Sequence, residues 1–396
     1  MNIVKQIIKY MLIMVVMVGL GYLIRGIYLN FPSGTDVRLS EGPTEVLAEL
    51  SAMGDETPIN PDLYAASTYR PEHPLYQAIL AVQQKHWFKA QRLLKPFVDK
   101  GNAEAMFWYG ELTYSSNAFS RGGQWFEKAA KLGNPYAAMK LAPQYNISID
   151  CQYWLGTYCD EQWGVKGLNI LKERADKGDV KAAYAYLYYT QFEDNSLEYL
   201  DKLVAVVKAG VKQHYYRPLR HLVRRYTHRR NLSPFKRYDL IPLSQEEKLI
   251  LTNVLMIAVN NNDLPSLNLM NEEESTGIKP ALPVYNQAVH RMLPISYLQS
   301  SPLFFDYFAY EAKRNVLRKV VIEGYAYALI LGSYSEEYGD RFPRIYQGKL
   351  EERHVSPLSD KEKEMGEQLF EQYKKQYSPI VYIDEIQGAW GADLFS

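Results

Sequence analysis

Four glycines recur at matched points in the first 210 residues, and their spacing constrains the fold more than any other feature of this chain. Aligned on Gly101, Gly133, Gly178 and Gly210, the stretches FVDKGNAEAMFWYG, AAKLGNPYAAMKLA, RADKGDVKAAYAYL and VVKAGVKQHYYRPL superimpose, at intervals of 32, 45 and 32 residues. Seven residues before each glycine stands Leu94, Phe126, Leu171 or Leu203, and three before stands Val98, Ala130, Ala175 or Val207. An apolar i, i+4 pair is one buried stripe of a helix, and the glycine after it can take the left-handed conformation that ends the helix. Small residues at Ala105, Ala137 and Ala182 then let the next helix pack closely. A period in the low thirties with two helices per unit predicts an all-α chain. Its architecture is an α-solenoid of helical hairpins, because one hairpin can bury its apolar face only against its neighbours.

The stretches WYGELTY, GGQWFEKAAKLGN, YWLGTYC and KERADKGDVKAAY resemble the Sel-one-like repeat, a relative of the tetratricopeptide repeat, over residues 75 to about 230. Gln124 to Asn134 matches the W-x-x-K-A-A-x-x-G second helix best; the LG of the first helix becomes Tyr109-Gly110 in one unit and Tyr186-Leu187 in another. The resemblance implies a protein-binding role and no chemistry of its own. Through membrane-anchored proteins that join such repeats to a C-terminal helical cap, it also implies an immunity protein. The partner would then be a type VI secretion effector, a periplasm-acting lipase among the candidates. An envelope scaffold or regulatory adaptor is the alternative.

Tyrosine is abundant, 33 residues against 14 phenylalanines and 6 tryptophans. Tyr109, Tyr114, Tyr153, Tyr158, Tyr184, Tyr186, Tyr188 and Tyr189 fall on first helices of the units, which in such solenoids line the concave side. Two readings stand side by side. The rings pack between repeats, or they anchor a partner, since tyrosine and tryptophan dominate interface hot spots. The vicinal pairs Tyr188-Tyr189 and Tyr215-Tyr216 cannot place both rings on one face.

Net charge is zero, 45 basic against 45 acidic side chains, but it is unevenly distributed. Eleven lysines and arginines lie between Lys202 and Arg237 with no acid among them, which leaves 34 basic against 45 acidic elsewhere, a balance of minus 11. Arg217, Arg220, His221, Arg224 and His228 share one helical side, while Leu219, Leu222, Val223 and Tyr226 can face the stack. This basic face is read either as solvated or as a surface for an acidic protein or an anionic headgroup. The candidate partner contacts are therefore Tyr109, Tyr114, Trp154, Tyr158, Tyr184, Tyr188 and Tyr215 together with Arg217, Arg220, Arg224 and Arg225. His214, His221 and His228 are seven apart, about 10.5 Å along a helix, too far to share one ion. No metal, cofactor or nucleic acid is expected.

Residues 1–31 begin with Lys5 and Lys9, followed by the uncharged run Tyr10 to Ile24 and then Arg25. With both flanking cations snorkelling, Ile7 to Phe31 can span a bilayer as one tilted helix. No small-x-small cleavage site follows, so an uncleaved signal anchor is favoured over a signal peptide. This reading places a single pass in a bacterial inner membrane and the bulk of the chain in the periplasm. Residues 32–74 read as a tether leading into the repeats at 75–239, and residues 240–396 as a helical domain capping the stack. In that domain, Ser244/Glu247 and Ser359/Glu362 form capping boxes. A loop-rich stretch follows from Asn260 to Pro302, then a helix from Phe305 to about Leu331. Met365, Leu369, Tyr373 and Tyr377 are expected along one apolar face.

No Walker A loop, strand-bound GxGxxG, HExxH or GxSxG occurs, and no enzymatic activity is expected. Cys151 and Cys159 are the sole cysteines. On one continuous helix they would stand about 12 Å apart, so a disulfide between them requires a break near Gly156.

Overall fold

The computed structural model describes residues 20, 45–56, 59–60, 69–115, 119–145, 151–191, 196–227, 243–271, 282–295, 301–315, 317–333, 341–378 and 380–386. Among these the chain is helical, without strands. The helices are α1 (Glu45–Glu56), α2 (Tyr76–Gln83), α3 (Trp87–Asp99), α4 (Ala103–Ser115), α5 (Phe119–Lys131), α6 (Pro135–Lys140), α7 (Cys151–Leu155), α8 (Glu161–Asp176) and α9 (Val180–Gln191). They continue as α10 (Leu197–Lys212), α11 (Arg217–Thr227), α12 (Gln245–Asn260), α13 (Leu264–Asn271), α14 (Leu282–Met292), α15 (Ser301–Asn315), α16 (Arg318–Ser333), α17 (Arg341–Glu352) and α18 (Asp360–Tyr373).

One turn recurs along this series. Helices α3, α5, α8, α10 and α12 are each followed by a left-handed residue, respectively Gly101, Gly133, Gly178, His214 and Asn262, with φ between 56° and 91°. The next N–H reaches back five residues in every case: Asn102 to Phe97, Asn134 to Ala129, Asp179 to Arg174, Tyr215 to Gly210 and Asp263 to Ala258. These are Schellman closures, which satisfy carbonyls that a helix end would otherwise leave orphaned. In four of the five, the following Asn or Asp caps the next helix. Asn102 accepts from Ala105 N at 2.8 Å, Asn134 from Ala137 N at 2.8 Å, Asp179 from Ala182 N at 3.0 Å and Asp263 from Ser266 N at 3.1 Å.

Two features differ from the glycine alignment. Gly210 lies inside α10, and the left-handed turn comes one helical turn later, at His214. Glycine is needed at 210 because the returning chain touches the helix there; a Cβ would stand 2.5 Å from the Tyr215 carbonyl oxygen. The second difference is that the turn is not confined to the aligned units: it recurs at Asn262, past the boundary expected at residue 239, and the same closure is made at Lys85 and at His354.

The apolar stripe is buried as its spacing predicts: Leu94, Phe126, Leu171 and Leu203 are each at most 1% exposed. Two clusters divide the core, and α9 contributes to both, Ala182 and Ala185 to the first and Val180, Tyr184 and Leu187 to the second. Helix α1 packs on α12 and buries Leu47 and Leu50 in the second cluster, so residues 45–56 of the expected tether are docked chain.

Both capping boxes are present, at the starts of α12 and α18. The helix expected from Phe305 to Leu331 is instead the pair α15 and α16, packed on one another. Folding back buries Phe305, Phe308, Ala309 and Ala312 of one helix against Tyr327, Ala328 and Leu331 of the other, whereas a single rod would run on for about 40 Å. Helices α13 and α14 occupy part of the stretch read as loop. Met365 is 47% exposed, because α18 approaches its neighbour through Gly366 against Tyr325.

The membrane reading is corrected. Among the described residues no helix is long and apolar enough to cross a membrane. The longest, α8, α10, α12 and α16, have 16 residues, about 24 Å against a bilayer core of about 30 Å. The segment Ile7–Phe31 lies outside the described residues except for Leu20. Single-pass placement in an inner membrane, with the bulk of the chain in the periplasm, is therefore not supported.

Candidate functional site

The repeated turn fixes which side chains line up. Three residues past its left-handed position come Glu104, Tyr136, Lys181 and Arg217, on the first turns of α4, α6, α9 and α11. The chain's own extended segment 380–386 contacts this row. Val381 donates its N–H to the Gln83 carbonyl and accepts from Gln83 Nε2, both at 2.8 Å, while Val381 and Ile383 are buried in the first core cluster. Asp384 takes Arg217 Nη1 at 2.7 and 2.6 Å, the Tyr382 hydroxyl at 2.7 Å and the Ile386 N–H at 3.0 Å. Glu385 pairs with the Lys181 ammonium and lies 3.0 Å from the Tyr69 hydroxyl, which is also 2.7 Å from Glu104.

Burial pushes the Glu385 carboxyl up, against the pull of Lys181. Desolvation of Lys181 would lower its pKa, but Glu385, Glu104 and Asp179 outweigh it, so the ammonium stays protonated. Arg217 is likewise held charged: burial, the largest single effect, would lower its pKa, but Asp384 together with Tyr184, Tyr382 and Tyr215 outweighs it.

This geometry revises the basic face. The side chains of Arg217 and Arg220 are 18% and 11% exposed, and Arg220 is forked onto Asp263 at 2.6 and 2.7 Å with its guanidinium 4.4 Å from the Tyr382 ring centroid. Arg225 is buried over the Tyr199 ring. Of the four candidate arginines, Arg224 alone is exposed. The cause is position: α11 sits between α10 and α12, so only a narrow side of it meets solvent. Arg225 Nε–H donates to His221 Nε2, which leaves the imidazole proton on Nδ1, 3.0 Å from the Tyr184 hydroxyl. Burial first, then Arg225, Arg217 and Arg224, depress His221 to about 3.

The tyrosines divide. Tyr114, Tyr184 and Tyr215 are buried; Tyr109 packs edge-on to Trp125, and Tyr188 lies against Tyr184 and beneath Arg217. Trp154 rests on Phe119 at 4.5 Å and Tyr158 is half-buried, whereas Tyr153 is 74% exposed. Helix α7 gives way at Gly156 (φ 59°) to a 3-10 turn, and Cys151 and Cys159 are disulfide-bonded with their Cα atoms 6.0 Å apart.

Beside Lys181 opens a cleft of about 470 Å³. Its walls come from two columns of the repeat: Asn102 and Glu104, Asn134 and Tyr136, Asp179 and Lys181, with Arg174 and Tyr215 closing it. None but Tyr215 was among the residues singled out from the sequence. The signal was present, because all six wall residues stand one and three places past an aligned glycine. Among the described residues, no cluster of His, Cys, Asp or Glu could hold a metal ion.

No protein-family model matches this chain, and no curated protein matches it.

Proposed function

We propose that this chain is a non-enzymatic protein-binding module, its hairpins wound as an α-solenoid of Sel-one-like kind, with the cleft between Asn102 and Lys181 as its recognition surface. The observation that carries this reading is the register of the cleft: three successive units each contribute the same two positions to its lining. A surface made by stacking units extends along a line, which suits a segment of another protein better than a compact reactant. The clasped segment 380–386 supports the reading, since it is held by backbone hydrogen bonds and by carboxylate pairing with the same row.

The resemblance narrows the partner. We propose a secreted toxic effector of the type VI class, a lipase among the candidates, that this chain binds and neutralises by covering its active site. Co-expressing the full chain with the toxin encoded beside its gene is expected to restore growth and to give a complex on size-exclusion chromatography. Growth arrest unchanged by the chain would refute neutralisation. Capture of several endogenous proteins in the absence of any toxin would instead support an adaptor.

A further inference from the structure

Most of the arginines of α11 are spent inside the fold, but a second run of cations is not. Between residues 85 and 100 the chain carries Lys85, Lys89, Arg92, Lys95 and Lys100 against Asp99 alone. Helical spacing puts Phe88, Arg92, Lys95 and Asp99 within about 60° of one another on α3, with Lys89 and Pro96 beside them, while Ala90, Leu94 and Val98 are buried on the opposite side. All six outward residues are exposed. Phe88 is 81% exposed, the highest value of any large apolar side chain among the described residues. Lys95 pairs with Asp99, whereas Lys89 and Arg92 make no ion pair among the described residues. Helix α3 also starts without a side-chain cap and without an acid in its first turn, so its positive dipole end adds to these charges. Next to that start, the Gln84 side chain donates to the Ser378 hydroxyl, and two further exposed lysines, Lys374 and Lys375, precede Ser378 by four and three residues.

An exposed phenylalanine flanked by unpaired cations suits either an acidic protein or an anionic bilayer, and the kind of cation decides between them. Protein interfaces are depleted in lysine and enriched in arginine. Between residues 85 and 100 lysine outnumbers arginine four to one. At a lipid surface each lysine gains from the negative surface potential, its long stem keeps the ammonium at headgroup level, and an aromatic ring beside it enters the acyl boundary.

We infer that the outward face of α3 rests on an anionic phospholipid surface, with Phe88 entering the headgroup boundary and Lys89, Arg92 and Lys95 pairing with lipid phosphates. This is contact by a folded surface and needs no helix that crosses the bilayer. It uses neither the cleft nor segment 380–386, so it stands or falls apart from the protein-binding reading.

The test is to sediment the full chain with vesicles of phosphatidylcholine alone and with vesicles containing about one quarter phosphatidylglycerol. Any affinity of residues 1–31 for lipid is common to every variant. Wild type is expected to prefer the anionic vesicles and to be released by added salt. Lys89→Glu/Arg92→Glu should weaken binding at least about thirtyfold, about fivefold for each cation lost, and Phe88→Ala about tenfold. Neither should move the melting temperature, because all three side chains are exposed. The added indole of Phe88→Trp should be quenched, beyond the wild-type signal, by brominated phosphatidylcholine in the anionic vesicles. Equal sedimentation of wild type and the charge-reversed variant, or an unquenched indole, would overturn the inference. Release by millimolar inorganic phosphate at constant ionic strength would overturn it in favour of a free-phosphate site. Tighter, Lys89- and Arg92-dependent binding of polyglutamate than of vesicles would overturn it in favour of an acidic protein.

Discussion

The clasp formed by Asp384 allows a demanding test. Its carboxylate is 3% exposed and accepts from Arg217, Tyr382 and Ile386, while the Arg217 side chain is itself only 18% exposed. Replacing Asp384 by Asn keeps the shape and removes the charge, leaving the Arg217 guanidinium buried without its counter-ion. Breaking a buried pair from one side costs about 3–5 kcal/mol. Removing both members costs far less, because the desolvation of two ions disappears with their attraction. In urea melts followed by circular dichroism, Asp384→Leu and Arg217→Met should each lose about 3–5 kcal/mol, and Asp384→Asn somewhat less. The double variant Arg217→Met/Asp384→Leu should recover most of that loss, giving a coupling of about 2 kcal/mol or more. Additive single losses, or an Asp384→Asn cost below about 1 kcal/mol, would refute the view that segment 380–386 is locked onto the repeat row by this pair.

Three further outcomes follow from the geometry. His221 is held neutral with its pKa depressed to about 3, while an unfolded imidazole titrates near 6.5, so between these values the unfolded state takes up the extra proton and stability falls as pH is lowered. The slope should approach about 1.4 kcal/mol per pH unit, and His221→Gln should remove that component; equal slopes would contradict the assignment. Reducing Cys151–Cys159 should lower stability by roughly 2–3 kcal/mol for so short a loop, read as a shift in the urea midpoint on adding dithiothreitol. Arg220→Ala should cost about 3–5 kcal/mol by stranding Asp263, read in thermal melts against wild type; a loss below about 1 kcal/mol would contradict the pairing.

The sequence by itself determined the local elements of this protein. A leucine or phenylalanine seven residues before a glycine, a left-handed turn and an Asn or Asp to cap the next helix all act within one or two helical turns, so their chemistry is legible in a linear string. The capping boxes at Ser244 and Ser359 were readable for the same reason. Tertiary structure decided which charges are free. The run of arginines looked like an exposed surface because its neighbours in sequence carry no acid, yet Arg220 finds Asp263 43 residues away and Arg217 finds Asp384 at a distance of 167. An ion pair is set by separation in space and by the cost of leaving a buried charge unmatched, neither of which a local run encodes. The cleft falls between these cases. Its lining residues were written at fixed offsets in the repeat, but only packing of the helices brought Tyr136 and Tyr215 to one cleft.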